Sequence, residues 1–345
     1  MNPNWQNFLQ QQGALLHENI VQHFGNAQSE LAAAQNGTVL CDLGQFGTLR
    51  VSGDEAQSFL QNLLSNDIRE VSSTRTQLSS FNTAKGRMLA TMLIWRDGDD
   101  YLLQLPRVLA EPIRKKLSMY VLRAKVKIID ASDEIISLGL SGDNAQKFLQ
   151  TQFGELPPRP FGCIGAAQGN AIKISDTRWQ INTSAPHAPE LWSTFGQHAQ
   201  PVGSACWDWL NIRSGIPVIL PQTQEQFVAQ MVNLELIGGV NFKKGCYPGQ
   251  EIVARMQYLG KLKRRMYLAH LGSSDIPQAG DELFSADMDG QSSGMIVNAA
   301  PAPGGGYDVL ASVQITSRET QTVRWKSLQG EALQFLPLPY ALHNT

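Results

Sequence analysis

Two stretches of the chain are near copies of each other. LRVSGDEAQSFLQ at residues 49–61 and LGLSGDNAQKFLQ at 138–150 share a leucine, S-G-D, A-Q and F-L-Q at one constant offset. A repeat of this kind constrains the fold more than any bulk property, because related local rules have to produce related substructures. Each copy reads as a strand with apolar alternation, a Gly-Asp helix start, and a helix whose Ala, Phe and Leu fall on one face.

The segments C-terminal to the two copies are parallel as well. After the first come a hairpin, MLATMLIW-RDGDD-YLLQL (88–105), the helical stretch VLAEPIRKKLSMYV and the strand-like KVKIID. After the second come AIKIS-DT-RWQINT (171–183), the helical PELWSTFGQHA, and VGSACWDWL, whose secondary structure the pattern leaves open. Strand, helix, hairpin, helix, strand is the order of a βαββαβ unit used twice. The predicted fold class is therefore α+β. A body covers residues 1–258, made of two interwoven subdomains, about 1–48 with 134–258, and 49–133. Beyond it the texture changes. GSSDIPQAGDE is linker or turn chemistry, DMDGQSSG and PAPGGG are tight turns, and MIVNA, YDVLASVQI and QTVRW alternate like short strands. Residues 259–345 are accordingly assigned to an antiparallel β-domain.

The 345 residues suffice for two or three domains with a large core, and a formal net charge of −2 gives no global reason to bind duplex nucleic acid or an acidic membrane. The start lacks a basic region followed by an apolar one, and no apolar run reaches the ~18 residues of a membrane span. A cytoplasmic protein without membrane contact is expected. Cys41, Cys163, Cys206 and Cys246 lie far apart with no C-x-x-C pair, and the six histidines show no short ligand spacing. Reduced thiols and no resident metal are the expectation.

The densest cluster of chemistry is KKGCYPGQE, residues 243–251. Pro248 and Gly249 break the backbone, and Gln250 and Glu251 begin a helix on which Ile252, Val253 and Met256 share a face. Cys246 thus stands just ahead of a helix N-terminus, with Lys244 and Lys243 nearby, and both influences favour thiolate over thiol. The alternative is a turn shaped by Gly245, Pro248 and Gly249 around a small buried filler. Cys41, Cys163 and Cys206 have no adjacent cation and read as core. Two basic runs, RKKLSMYVLRAKVK (114–127) and KLKRR (261–265), offer local positive potential or simply solvated faces.

K-G-C-Y-x-G-Q-E followed by V-A-R, preceded by N-L-E-L-I-G-G-V-N-F-K, resembles the signature of the YgfZ family of folate-binding proteins, relatives of the glycine-cleavage T-protein. The likeness extends to SGDEAQSFLQNLLSNDI, FNTAKGRMLA, NIRSGIPVI and the C-terminal PLPY. It implies a T-protein-like, folate-binding body of duplicated βαββαβ units with a C-terminal antiparallel β-barrel, and tetrahydrofolate or a derivative as ligand. It also implies a role in assembling or maintaining iron-sulfur enzymes, including tRNA-modifying ones, with iron-sulfur client or assembly proteins as partners. Lys244 and Cys246 would be the catalytic centre, completed by Tyr247, Gln250, Glu251 and Arg255, with Phe46, Asp67 and Trp207 lining the folate cavity.

Two departures bear on activity. Where the T-protein carries adjacent aspartates, this chain has Ala90 and Thr91, so aminomethyl transfer lacks its acid/base group. Where many relatives have a glutamate before Ala-Gly-Ile-Pro, this chain has Arg213, which cannot accept hydrogen bonds from a pterin; Asp208, Glu235 or backbone carbonyls would have to substitute. Glu235 reads equally as a surface residue. Two further readings stand beside the accessory role: a folate-dependent one-carbon transferase or demethylase, and a non-enzymatic module that docks protein or tRNA.

Overall fold

The computed structural model describes residues 1–258, 260 and 262–342. Lys261 of the second basic run, and Leu259 and residues 343–345 of the assigned tail, lie outside the described residues. Contacts divide the chain into two compact units that interleave along the sequence. One comprises Met1–Phe59, Ile68–Gln77 and Leu93–Trp207, the other Leu60–Asp67, Leu78–Met92 and Asp208–Thr345.

The two repeat copies give the same local structure in the first unit. Strands Phe46–Ser52 and Ile135–Ser141 each end in a glycine, Gly53 or Gly142, at φ +112° or +126°. A side chain at either would meet a backbone carbonyl, Lys125 O at 2.1 Å or Gly37 O at 2.3 Å, so only glycine lets the chain turn there. The carbonyls of Gly53 and Gly142 then accept the amides of Ala56 and Ala145, both at 3.0 Å, and the helices Ala56–Gln61 and Ala145–Phe153 begin there.

Strand Phe46–Ser52 lies between Asp100–Pro106 and Lys127–Asp130, antiparallel to both, and Asp100–Pro106 continues onto the hairpin partner Met88–Asp97 from Leu93 onward. Strand Ile135–Ser141 sits within a six-stranded sheet of order Cys163–Ala166, Gly169–Lys173, Arg178–Ser184, Ile135–Ser141, Val39–Asp42, Gln200–Val202. Only its last pair is parallel. Helix Ala188–Gly196 puts Leu191, Trp192 and Phe195 against this sheet's Leu138, Leu140, Trp179 and Ile181.

Helix Pro3–Gln11 seals the same core. Asn2 caps it, accepting the amides of Asn4 and Trp5, and Pro3 takes a first-turn position where its missing N–H costs nothing. Trp5 and Leu9, one turn apart, are buried on its inner face. The Trp5 indole donates to Asp42 Oδ1 at 2.8 Å, while the Gly44 amide donates to Oδ2 at 3.0 Å. Burial pushes the Asp42 carboxyl up to about 6, against the opposing pull of these two donors and of nearby Arg107.

Asp42 therefore binds its proton more tightly folded than unfolded, so its contribution to stability is complete below about pH 4 and is lost as pH rises through about 6. Urea unfolding of wild type and Asp42→Asn, read by tryptophan fluorescence, should show wild type losing on the order of 3 kcal/mol relative to the variant between pH 4 and 7. A difference that stays flat with pH refutes the assignment.

The second unit carries a six-stranded antiparallel sheet of order Arg324–Trp325, Glu282–Phe284, Ser292–Pro301, Tyr307–Gln314, Arg264–Leu271, Gln334–Leu336. Ala269, Leu283, Ile296, Val309, Ala311 and Val313 make its core. The barrel expected for the tail takes the form of a curled sheet, a half-barrel. Its strand order ends at two short edge strands, and the turns PAPGGG and DMDGQSSG set the hairpins without specifying closure. No helix among the described residues is long and apolar enough to cross a membrane.

Candidate functional site around the Lys-Gly-Cys loop

The KKGCYPGQE loop lies in the second unit, and its side chains alternate in burial. Lys244 is 5 % exposed and Tyr247 6 %, whereas Cys246 between them is exposed. The Lys244 ammonium donates to three carbonyls, Gln61 O at 2.6 Å, Leu64 O at 2.5 Å and Asn66 O at 3.1 Å. It also lies 5.0 Å from the centroid of the Tyr247 ring. A charged donor on this many acceptors is a strong anchor. Three carbonyls thus hold the Lys244 ammonium in place. Burial pushes the Tyr247 phenol up to about 12.

The carbonyls that Lys244 grips adjoin or belong to a buried polar knot formed by Ser65, Asn66 and Asp67. Ser65 Oγ donates to Gly239 O at 2.8 Å, and the Asn66 side-chain amide donates to Leu78 O at 2.8 Å and Gly238 O at 2.7 Å. Asp67, 7 % exposed, donates its backbone amide to Asn66 Oδ1 at 3.0 Å. The S-N-D-I turn and the Gly-Gly turn are thus stitched to one another, and the Lys-Gly-Cys loop is pinned on top.

A second anchor is backbone against backbone. Gly249 takes φ +80° and Gly86, in the Lys85-Gly86-Arg87 turn, φ +71°. A Cβ on Gly249 would fall 2.3 Å from Gly86 Cα and 2.6 Å from Thr83 O. Helix Gln250–Tyr258 starts immediately afterwards, its Val253 amide donating to Gly249 O. Gln250 is half-buried and reaches back to Lys244 O at 3.4 Å, while Glu251 and Arg255, one turn apart, stand on the exposed face. Val253 is buried, and its carbonyl accepts from Gln230 Nε2 at 2.7 Å.

Seven of the residues singled out from the sequence, Asp67, Lys244, Cys246, Tyr247, Gln250, Glu251 and Arg255, belong to this unit, and Phe46 and Trp207 to the first. Phe46 is half-buried at the start of its strand. Trp207 is 3 % exposed; its ring lies against Gly139, where a Cβ would come within 2.5 Å, and the Arg178 guanidinium stands 4.3 Å from its centroid. The other three cysteines are buried, and burial pushes the Cys163 thiol up to about 12.

The two sequence departures have structural partners that the sequence did not announce. Thr91 Oγ1 donates to Pro217 O at 3.2 Å and accepts from the Ile219 amide at 3.1 Å, tying down the Ile-Pro segment. Arg213 pairs with Asp308 at 3.5 Å, and the same buried carboxylate accepts from Trp209 Nε1 and contacts His270 Nδ1, each at 2.9 Å. Asp308 sits in an alternating strand pattern, with nothing local to mark it. Glu235 is no surface residue. Its side chain is 5 % exposed and ion-paired with buried Arg265, while its second oxygen has no hydrogen-bond partner among the described residues.

Comparison with known proteins places the fold and the family. The GCVT N-terminal domain model matches residues 4–237. The tRNA-modifying protein YgfZ of Shigella boydii serotype 4 (strain Sb227) is 30% identical over 316 residues, covering 91% of this chain and 96% of its own length. The tRNA-modifying protein YgfZ of Escherichia coli O45:K1 (strain S88 / ExPEC) matches at the same identity and coverage. Among solved structures, glycine cleavage system aminomethyltransferase T from Bartonella henselae superposes with a TM-score of 0.79 at 16% identity, over 96% of each chain, a likeness of fold. The chain carries the GCVT N-terminal domain, has a T-protein-like α+β fold and belongs to the YgfZ family.

Proposed function

We propose that the protein is a cytosolic tetrahydrofolate-binding accessory factor in tRNA modification, serving iron-sulfur enzymes, with Cys246 as its reacting group. The observation that carries this is the exposure of Cys246 on a loop tip whose flanks, Lys244 and Tyr247, are buried and held. A thiol meant only for packing would share the burial of Cys41, Cys163 and Cys206. An exposed thiol on a loop held at both flanks is open to a reacting partner.

The residues fit a folate in part. A pterin offers donors along its aminopyrimidine edge and needs a carboxylate to receive them. Asp67, buried beside the Lys244 anchor, and Glu235, whose second oxygen has no hydrogen-bond partner among the described residues, are carboxylates this unit supplies. Tyr247, Gln250, Glu251 and Arg255 of the same unit complete the proposed set. Aminomethyl transfer by the T-protein route is disfavoured, because Thr91 is occupied in holding the Ile-Pro segment and brings no carboxylate. Descent of the body from a duplicated βαββαβ unit is supported by the matching glycine turns after strands Phe46–Ser52 and Ile135–Ser141.

Pulsed iodoacetamide labelling of the folded protein, with and without tetrahydrofolate, tests the reading. Cys246 should label at least ~10-fold faster than the other three thiols, and tetrahydrofolate should slow it. Equal, slow labelling of all four removes the reactive thiol. No heat on calorimetric titration with tetrahydrofolate removes the ligand.

A further inference from the structure

A cavity of about 790 Å³ opens on the half-barrel of the second unit, a volume in the range of small-molecule sites. Lys263, Arg265 and Tyr267 line it from alternate positions at the start of strand Arg264–Leu271, so they share one face. Arg318, from the short helix Ile315–Thr320, lines another side, and Leu338 and Tyr340, after strand Gln334–Leu336, a third.

The charges in this lining are unequal in their partners. Arg265 is consumed by Glu235 and by Gln230 O. Lys263 and Arg318 are exposed, and neither makes an ion pair among the described residues. Glu319 is the one carboxylate of the lining among the described residues. The Arg318 guanidinium instead lies over aromatic rings, 5.5 Å from the Tyr267 centroid and 5.4 Å from that of Phe335. Two such cations at a concave, half-apolar surface concentrate positive potential there. An arginine held beside aromatic rings offers its guanidinium fork to a phosphate's paired oxygens, with the Tyr267 ring next to it as a surface for a heterocycle.

We propose that this cavity binds a nucleoside monophosphate group, with Lys263 and Arg318 on the phosphate and the base against the tyrosine and leucine surface. The group is either a free nucleotide or the phosphorylated terminus of an RNA strand. The two sources share this chemistry and are separated by experiment.

Calorimetric titration of the full chain with adenosine 5′-monophosphate, adenosine, inorganic phosphate and 5′-phosphorylated hexa-adenylate makes the test. The monophosphate is expected to saturate with a Kd below about 1 mM. Adenosine and phosphate should each bind at least ~10-fold more weakly, because each keeps only half of the contacts. Arg318→Gln and Lys263→Gln should each weaken the monophosphate about tenfold; Lys263→Gln should leave the melting temperature unchanged and Arg318→Gln should lower it by no more than about 2 °C, the loss of its ring contacts. Hexa-adenylate binding tighter than the monophosphate identifies the RNA terminus as source, and weaker binding the free nucleotide. No saturable binding of either, phosphate alone binding as well as the monophosphate, or both variants binding like wild type overturns the proposal.

Discussion

Gly249→Ala is expected to cost about 3–5 kcal/mol and to strip the Lys-Gly-Cys loop from its seat, whereas Gly245→Ala, four positions earlier in the same motif, should stay within about 1 kcal/mol of wild type. The two glycines differ in what surrounds them. At Gly249 an added methyl carries the penalty of φ +80° and meets Gly86 Cα at 2.3 Å, Gly86 N at 2.4 Å and Thr83 O at 2.6 Å. These are backbone atoms of a tight turn, closed by Thr83 N donating to Arg87 O and Gly86 N donating to Thr83 O, and they cannot yield as a side chain could. At Gly245 nothing lies within 4 Å of the added carbon. Urea unfolding of the two purified variants decides the matter. Equal losses in both, or none in Gly249→Ala, would show that the close approach is not structural.

Lys244→Met should lower stability by at least about 3 kcal/mol, because it removes the charged donor shared by Gln61 O, Leu64 O and Asn66 O while keeping the length of the buried stem. Two of these bonds are wholly buried, so water cannot easily replace the ammonium. The expected fall in melting temperature is on the order of 4 °C or more. Iodoacetamide labelling of Cys246 in the same variant distinguishes an anchor from a polarising group. Loss of the anchor lowers stability and leaves Cys246 labelling at least as fast, while loss of polarisation alone slows Cys246 at unchanged stability. A variant that melts like wild type would mean the carbonyls find other partners and that the anchor is not needed.

How much of this could be read from the chain depends on the kind of contact. The hairpin 88–105 was legible because a polar D-G-D-D break separates two apolar runs, and Met88–Asp97 and Asp100–Pro106 pair across it. Helix Ser204–Arg213 was not, since Cys206, Trp207, Trp209 and Ile212 are buried on several sides and leave no polar face to reveal a period. In the candidate site, Pro248 and Gly249 announce the helix that begins at Gln250. The destination of Lys244 was hidden, because beside a cysteine a lysine reads as a charge for the thiol, while its actual partners are main-chain carbonyls whose position no side-chain pattern encodes. For the tail, turn residues marked the strands, but pairing between edges is a property of the assembled sheet and not of any one turn.

The pairing of Arg213 with Asp308 carries a consequence for substitution. A glutamate in place of Arg213 would turn a carboxylate toward Asp308, where the guanidinium now stands 3.5 Å away, and like charges brought together disfavour ionisation of both. Trp209 and His270 lean on the same carboxylate, so relinquishing that aspartate disturbs an indole and an imidazole too. A change of sign at 213 is therefore expected to be tolerated better alongside loss of the Asp308 charge, and urea unfolding of Arg213→Glu against the Arg213→Glu, Asp308→Asn double variant checks it.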